Sequence, residues 1–370
     1  MKKALLVPLV VVALAVGLTA FHANFISQDR VDWRIKYLMD PAVRLVFRAA
    51  GMDKDEGRFD RAAFQRFMLS HEPTTGGEFV DGVRSEDLLV PPHEYPPNPH
   101  PLLADVASPA PAAVSVRVFE PKLEKNESLP VMIYIHGGGF TLGTGKDWAM
   151  NHVATRFARE GKMVVVSVDY RLAPEHPFPA AIEDCYSVLQ WVARHGDGHP
   201  ALAKADLEDH HRSAGGNLAA VLSLMAVERN APVRVAYQLL IYPTCMAPPT
   251  PSAIEFADAY ILPKWSSKFF KSQYLLGHDH AITAHHYLNP TKASFLDQSP
   301  HTHIVVAELD PLRDEGKDLG EQLKAAGVDC EVTQYNDTVH GFVGFWFLPE
   351  SEAFFVHAIP RMLHHLHREA

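Results

Sequence analysis

Four short segments hold residues that could do chemistry together. The first is Ser213-Ala214-Gly215-Gly216-Asn217, which opens the apolar stretch 218–227. A serine becomes a nucleophile where a sharp strand-to-helix turn presents its hydroxyl, and the helix N-terminus favours the negative charge that develops there. Taken alone, the same serine also fits a helix N-cap. The second segment is His136-Gly137-Gly138-Gly139-Phe140, directly after the apolar run 131–135. Consecutive glycines at a strand end let the chain turn tightly with N–H groups exposed, and such donors can hold an oxyanion. The N–H groups of Gly137, Gly138 and Ala214 are the candidate donors.

The third segment is Glu308-Leu309-Asp310-Pro311-Leu312-Arg313-Asp314, after the apolar run 303–307. Asp310 stands where a strand gives way to a helix. A carboxylate there can orient a histidine and stabilise its imidazolium form. Asp314 is a second candidate, one helical turn further on. The fourth is Val339-His340-Gly341-Phe342, in the loop after a strand at 329–335. A histidine in such a loop suits a general base. The chain holds 22 histidines, so residue type alone does not single out His340; its place in the order does. His278, His280, His285 and His286 crowd one stretch but lack the spacing of a metal-ligand pair on a helix. The order Ser213, Asp310, His340 is that of the nucleophile, acid and base in α/β-hydrolases.

Elements with the right rhythm surround these segments. The runs 131–135 and 163–168 are continuously apolar, which suits strands buried on both faces of a parallel sheet. Further strands are expected at 114–119, 234–241, 303–308 and 329–335. Helical patterns lie between and after them, at 147–160, 179–195, 214–229, 314–327 and 350–367. This alternation predicts an α/β fold with a mostly parallel central sheet flanked by helices. Residues 251–288 mix aromatic and charged side chains without a strand pattern and read as a helical insertion. Residues 24–75 look helical, with Asp40-Pro41 as a capped start and another helix at 60–70. The proline-rich stretch 92–112 reads as an extended connector.

Composition narrows the function. The 370 residues are 47% hydrophobic and 21% charged, enough apolar material for a sizeable core. A net charge of −10 argues against nucleic acid as a partner. The 3 cysteines are far apart with no CxxC pair, which argues against a disulfide framework and a cysteine zinc site. Lys2 and Lys3 precede an apolar run at 4–21. As a helix that run would be about 27 Å long, close to the thickness of a bilayer core. It predicts a signal anchor or signal peptide over 1–23, with the remainder exported across a bacterial-type inner membrane or held on its periplasmic face.

At this point the chain resembles the hormone-sensitive-lipase-like esterases of the α/β-hydrolase superfamily. The resemblance covers about residues 100–370. It rests on HGGGF at 136–140, on Asp169-Tyr170-Arg171-Leu172-Ala173-Pro174-Glu175 followed by Pro177 and Pro179, on SAGGN at 213–217, on DPLRDEG at 310–316 and on HGF at 340–342. It implies an α/β-hydrolase domain over 100–370 and a small-molecule acyl ester, of short to medium chain length, as substrate. No cofactor is implied. It also implies a helical cap built from an N-terminal segment at 24–90 and an insertion at about 250–288. Within this frame the 169–175 motif reads as a brace for the sheet and the nucleophile loop.

One departure stands out. The family's nucleophile loop normally reads Gly-Asp-Ser-Ala-Gly, whereas His211 and Arg212 precede Ser213 here. Incoming strand and outgoing helix nearly touch at such a turn, so the position two before the serine should be small. The segment entering it, from Lys204 to Arg212, carries charge almost throughout where a central parallel strand should be apolar. Two explanations follow: a distorted turn, or a local frame shift, since Asp-His-His-Arg displaced by one base can read Thr-Ile-Ile-Ala. A distorted turn would leave a protein that binds an ester-like ligand without hydrolysing it.

Overall fold

The computed structural model describes residues 31–32, 34–49, 82–92, 110–122, 129–195, 207–278 and 280–369. The apolar run at 4–21, the helix expected at 60–70 and most of the proline-rich stretch lie outside the described residues. Among the described residues no helix is long and apolar enough to cross a membrane.

The strands are β1 (Val83–Val90), β2 (Val114–Pro121), β3 (Val131–Ile135), β4 (Val164–Asp169), β5 (Leu207–Arg212), β6 (Val235–Ile241), β7 (His301–Leu309) and β8 (Cys330–Val339). They form one sheet in the order β1-β2-β4-β3-β5-β6-β7-β8. β2 runs antiparallel to both neighbours, and every pairing from β4 through β8 is parallel.

Alternation along each strand feeds two cores. Ile133 and Ile135 join Val166 and Val168 on one face, while Met132 and Tyr134 join Val165 on the other. The first face is covered by α3 (Ala180–His195) and α4 (Ala214–Glu228). The second is covered by α2 (Trp148–Gly161) and α8 (Pro349–Glu369). Helix α4 is apolar around nearly its whole circumference and buried from Ala214 to Ala226, because it is packed on every side. Helix α7 (Arg313–Ala325) packs beside β7 and β8, with Gly316 and Gly320 so close to Val306 and Val332 that a Cβ would collide.

Two expectations need correction. Residues 83–90, assigned from sequence to the helical cap segment, form the edge strand β1 instead. Its pattern Val-Arg-Ser-Glu-Asp-Leu-Leu-Val is half exposed, so it lacks the apolar run of an inner strand. It is secured by its ladder to β2 and by Arg117, whose guanidinium donates to both oxygens of Asp87 at 2.7 and 3.1 Å. Asp40 is not a capped helix start. A π-helical turn at Ile35–Met39 runs straight into α1 (Asp40–Ala49). The Asp40 carboxylate instead accepts from Ile261 N at 2.8 Å and from Arg44 Nε at 2.7 Å.

That contact joins the N-terminal helix to the insertion. The insertion contains α5 (Pro251–Glu255) and α6 (Lys264–Tyr274). Phe47 of α1 meets Trp265 and Phe270 of α6 edge-on, with ring centroids 6.0 and 6.1 Å apart. The small apolar cluster they form also takes in Leu142 and Leu312.

Candidate active site

The polar strand β5 occupies the centre of the sheet. Its backbone pairs with β3 on one side and β6 on the other, His211 lying opposite Ile135 and Leu240. Hydrogen bonds to two apolar neighbours thus supply a strand that the residue types of β5 do not suggest. The chain then reverses at Ser213, whose φ of 58° and ψ of −115° lie outside the ordinary regions for a side-chain-bearing residue. Ser213 N donates to Ile241 O at 2.9 Å, and Ser213 O accepts from Asn217 N at 3.3 Å. The turn is tight: a Cβ on Gly215 would fall 2.2 Å from the carbonyl oxygen of Ile135. Only glycine fits there.

The sheet brings the three separated residues together at its carboxyl edge. Asp310 follows β7 and is fully buried. Its Oδ1 accepts from Leu312 N at 2.8 Å, which fixes the carboxylate. Its Oδ2 accepts from His340 Nδ1 at 2.7 Å. Because a carboxylate only accepts, the imidazole proton sits on Nδ1 and the lone pair on Nε2. Nε2 faces Ser213 Oγ at 3.0 Å. This arrangement can take a proton from the hydroxyl as the oxygen attacks an electrophile. Asp314, the second carboxylate candidate, is engaged elsewhere. Its oxygens take Arg313 Nε at 2.8 Å and Ser252 N at 2.7 Å. Burial pushes the Asp314 carboxyl up, but those hydrogen bonds outweigh it and hold the group below the usual range.

The glycine turn follows β3 on the neighbouring strand. Gly138 and Gly139 have φ of 115° and 61°, values that side chains disfavour. Gly138 O accepts from Thr141 N at 3.1 Å and Leu142 N at 2.9 Å. In a trans peptide the N–H opposes the C=O, so the Gly139 N–H points away from that hairpin. Sequence reasoning passed over Gly139; the third glycine of the run was the available clue. The 169–175 segment holds the turn from beneath. Tyr170 stacks on His136 with centroids 4.2 Å apart, its hydroxyl donates to His136 O at 2.9 Å, and Ala173 N donates to Phe140 O at 2.9 Å.

Sequence reasoning also missed what roofs the turn. Phe140 lies flat against Tyr274 of α6, centroids 3.9 Å apart, and the ring of Phe270 rests on Gly139. Neither contact has a local sequence pattern, because α6 lies far along the chain. Three of the crowded histidines are taken up by protein groups: His278 Nε2 meets Phe178 O at 2.9 Å, His285 Nδ1 accepts from Tyr287 N at 2.9 Å and His286 Nε2 meets Glu228 Oε2 at 3.3 Å. Among the described residues no cluster of side chains is arranged to hold a metal ion. One further buried carboxylate was overlooked. Glu315, on the first turn of α7, accepts from Cys245 N at 2.5 Å and Thr244 Oγ1 at 3.1 Å. Burial pushes its carboxyl up to about 7 against those hydrogen bonds.

Known proteins share this framework. Residues 132–344 match a family model described as the alpha/beta hydrolase fold. Carboxylesterase NlhH of Mycobacterium tuberculosis is 42% identical over 241 residues, which cover 63% of this chain and 72% of that protein. Esterase LipI of the same organism is 38% identical over 273 residues, covering 72% and 82%. Among solved structures, an esterase of Pyrobaculum calidifontis is similar with a TM-score of 0.67 at 30% identity, over 90% of this chain and 94% of that one.

Proposed function

This chain belongs to the α/β-hydrolase fold family, as a hormone-sensitive-lipase-like esterase, and from that premise we propose a serine carboxylic ester hydrolase that works through Ser213, His340 and Asp310. The observation that carries this reading is the continuous relay, 2.7 Å from Asp310 to His340 and 3.0 Å from His340 to Ser213. In the first half-reaction His340 Nε2 takes the hydroxyl proton as Ser213 Oγ attacks the ester carbonyl carbon. The carbonyl oxygen becomes an oxyanion, held by N–H groups of Ala214 and of the glycine turn, where Gly137 and Gly138 are joined by Gly139. Asp310 stabilises the imidazolium. His340 then gives its proton to the departing alkoxide, leaving an acyl-serine. Water, deprotonated by His340, attacks that ester in the second half-reaction, and His340 returns the proton to Ser213 Oγ as the acid leaves.

The acyl group is short to medium in length. The apolar cluster of Phe47, Leu142, Phe269, Phe270 and Leu312 beside the glycine turn supports an apolar acyl pocket. Phe270, pressed on Gly139, supports a limited depth. The apolar run at 4–21, preceded by Lys2 and Lys3, supports placement of the enzyme on or beyond an inner membrane, facing the periplasm.

Hydrolysis of p-nitrophenyl acetate, butyrate and octanoate by the full chain, beside Ser213→Ala, tests the reading. Activity in the parent that disappears in the folded variant is the expected result. Equal rates in the two would sink it. Fractionation of cells producing the chain tests its placement, and recovery in the cytosolic fraction would overturn that part.

A further inference from the structure

After β6 the chain passes through Tyr242, Pro243, Thr244, Cys245 and Met246 before the insertion begins. Tyr242 and Met246 hold φ of 39° and 50°, conformations that side-chain-bearing residues keep only when their surroundings impose them. The segment touches both halves of the relay. Thr244 N lies 3.4 Å from the carbonyl oxygen of Ser213, and the Tyr242 ring tilts against the imidazole of His340 with centroids 4.8 Å apart. A shift of this segment therefore moves nucleophile and base relative to each other.

Its fastening comes from two directions. Tyr242 N donates to Val305 O at 2.6 Å. The remainder converges on Glu315, whose Oε2 takes Cys245 N at 2.5 Å and Thr244 Oγ1 at 3.1 Å. The Cys245 thiol also leans on the Glu315 carbonyl at 3.6 Å. Glu315 is buried, and a buried carboxylate is a costly way to fill space. What it offers in return is one oxygen able to accept two donors from adjacent residues at once.

We propose that Glu315 is a positioning residue for ester hydrolysis, clamping residues 242–246 so that Ser213 and His340 stay in register. The inference rests on the serine-esterase reading above. A single stretch, 310–316, then sets the base twice: directly through Asp310 and at one remove through Glu315.

The test uses the full chain with Glu315→Gln, Glu315→Ala and Thr244→Val, and Ser213→Ala as the inactive control. Four quantities are read: kcat and KM on p-nitrophenyl butyrate, the rate at which a fluorophosphonate labels Ser213, and Tm. Glu315→Gln keeps the shape but places an NH2 group among donors. The expected result is a fall in kcat of about 10- to 100-fold, a parallel fall in labelling rate and a KM within about twofold of the parent. Thr244→Val removes the hydroxyl donor and should lower kcat by about threefold, again with KM unchanged. It serves as the deciding variant should the Glu315 variants fail to fold. A folded Glu315→Gln, or failing that Thr244→Val, with parental kcat and labelling rate overturns the inference, whatever happens to Tm. A parent no more active than Ser213→Ala overturns the esterase reading and this inference with it.

Discussion

The ring of Phe270 lies on Gly139 so closely that a Cβ there would fall 2.2 Å from the ring's Cγ. Helix α6 therefore forms the roof of the candidate oxyanion turn. Two substitutions separate the consequences. Gly139→Ala meets both the ring and a φ of 61°, so kcat should fall by about 100-fold or more, the scale of losing an oxyanion donor. Phe270→Ala removes only the roof and should move the preference among p-nitrophenyl esters from butyrate toward octanoate. An unchanged chain-length profile in Phe270→Ala would show that the acyl group lies elsewhere.

Asp310 is the second point of leverage. Its carboxylate fixes the His340 proton on Nδ1 across 2.7 Å. Asparagine can present an N–H there and reverse the tautomer, leaving no lone pair toward Ser213. Asp310→Asn should lower kcat by about 10⁴-fold at neutral pH, the scale of the same exchange in serine proteases. Asp314→Asn, at a carboxylate committed to Arg313 and Ser252, should cost far less. Steady-state kinetics on both variants decides, and a reversed ranking would move the acid role to Asp314.

The tight turn at Ser213 gives a third prediction. Gly215→Ala would press a methyl group against the carbonyl oxygens of Ile135 and His136, at 2.2 and 2.8 Å. A loss of at least about 3 kcal/mol in unfolding free energy is expected. The paired exchange His211→Gly with Arg212→Asp, which restores the pattern of the resembling esterases, should work in the other direction and raise kcat by about tenfold. Denaturant titration and kinetics read the two effects. A slower enzyme after the paired exchange would mean that the turn is adapted to His211.

Stability should respond to a histidine far from the site. His303 on β7 is buried, with Nε2 2.9 Å from Thr333 Oγ1. Burial, with Arg361 and His301 nearby, pushes its pKa from 6.5 down to about 3. The folded chain thus keeps this ring neutral while the unfolded chain protonates near 6.5. Its contribution is complete above that value and is lost as pH falls toward 3. The parent should lose about 2 kcal/mol relative to His303→Gln between pH 7 and 5. Parallel stability curves for the two proteins over that interval would contradict this account.

The local patterns were legible without any structure. The runs at 131–135 and 163–168 announced their strands, because a strand covered on both faces has no polar side to show. HGGGF, SAGGN, DPLRDEG and HGF each encode a turn whose backbone demands are met within a few residues, so Ser213, Asp310 and His340 could be picked out by position. The edge strand β1 was not legible, since an exposed edge leaves no apolar signature and depends on Arg117 in a different strand.

What only the tertiary structure decided are the meetings between distant segments. The chain by itself determined which residues stand at strand ends, through hydrophobic periodicity and turn chemistry, both local properties. It did not reveal that Asp40 would serve Ile261, that Phe270 would roof Gly139, that Asp314 would be spent on Ser252 while Asp310 stayed free for His340, or that Glu315 would accept from Cys245 N. Nor did it show that polar β5 would run as a central strand, which follows from the backbone hydrogen bonds of its two neighbours rather than from its own side chains. Such contacts depend on the closing of the whole sheet, and no stretch of neighbouring residues contains that information.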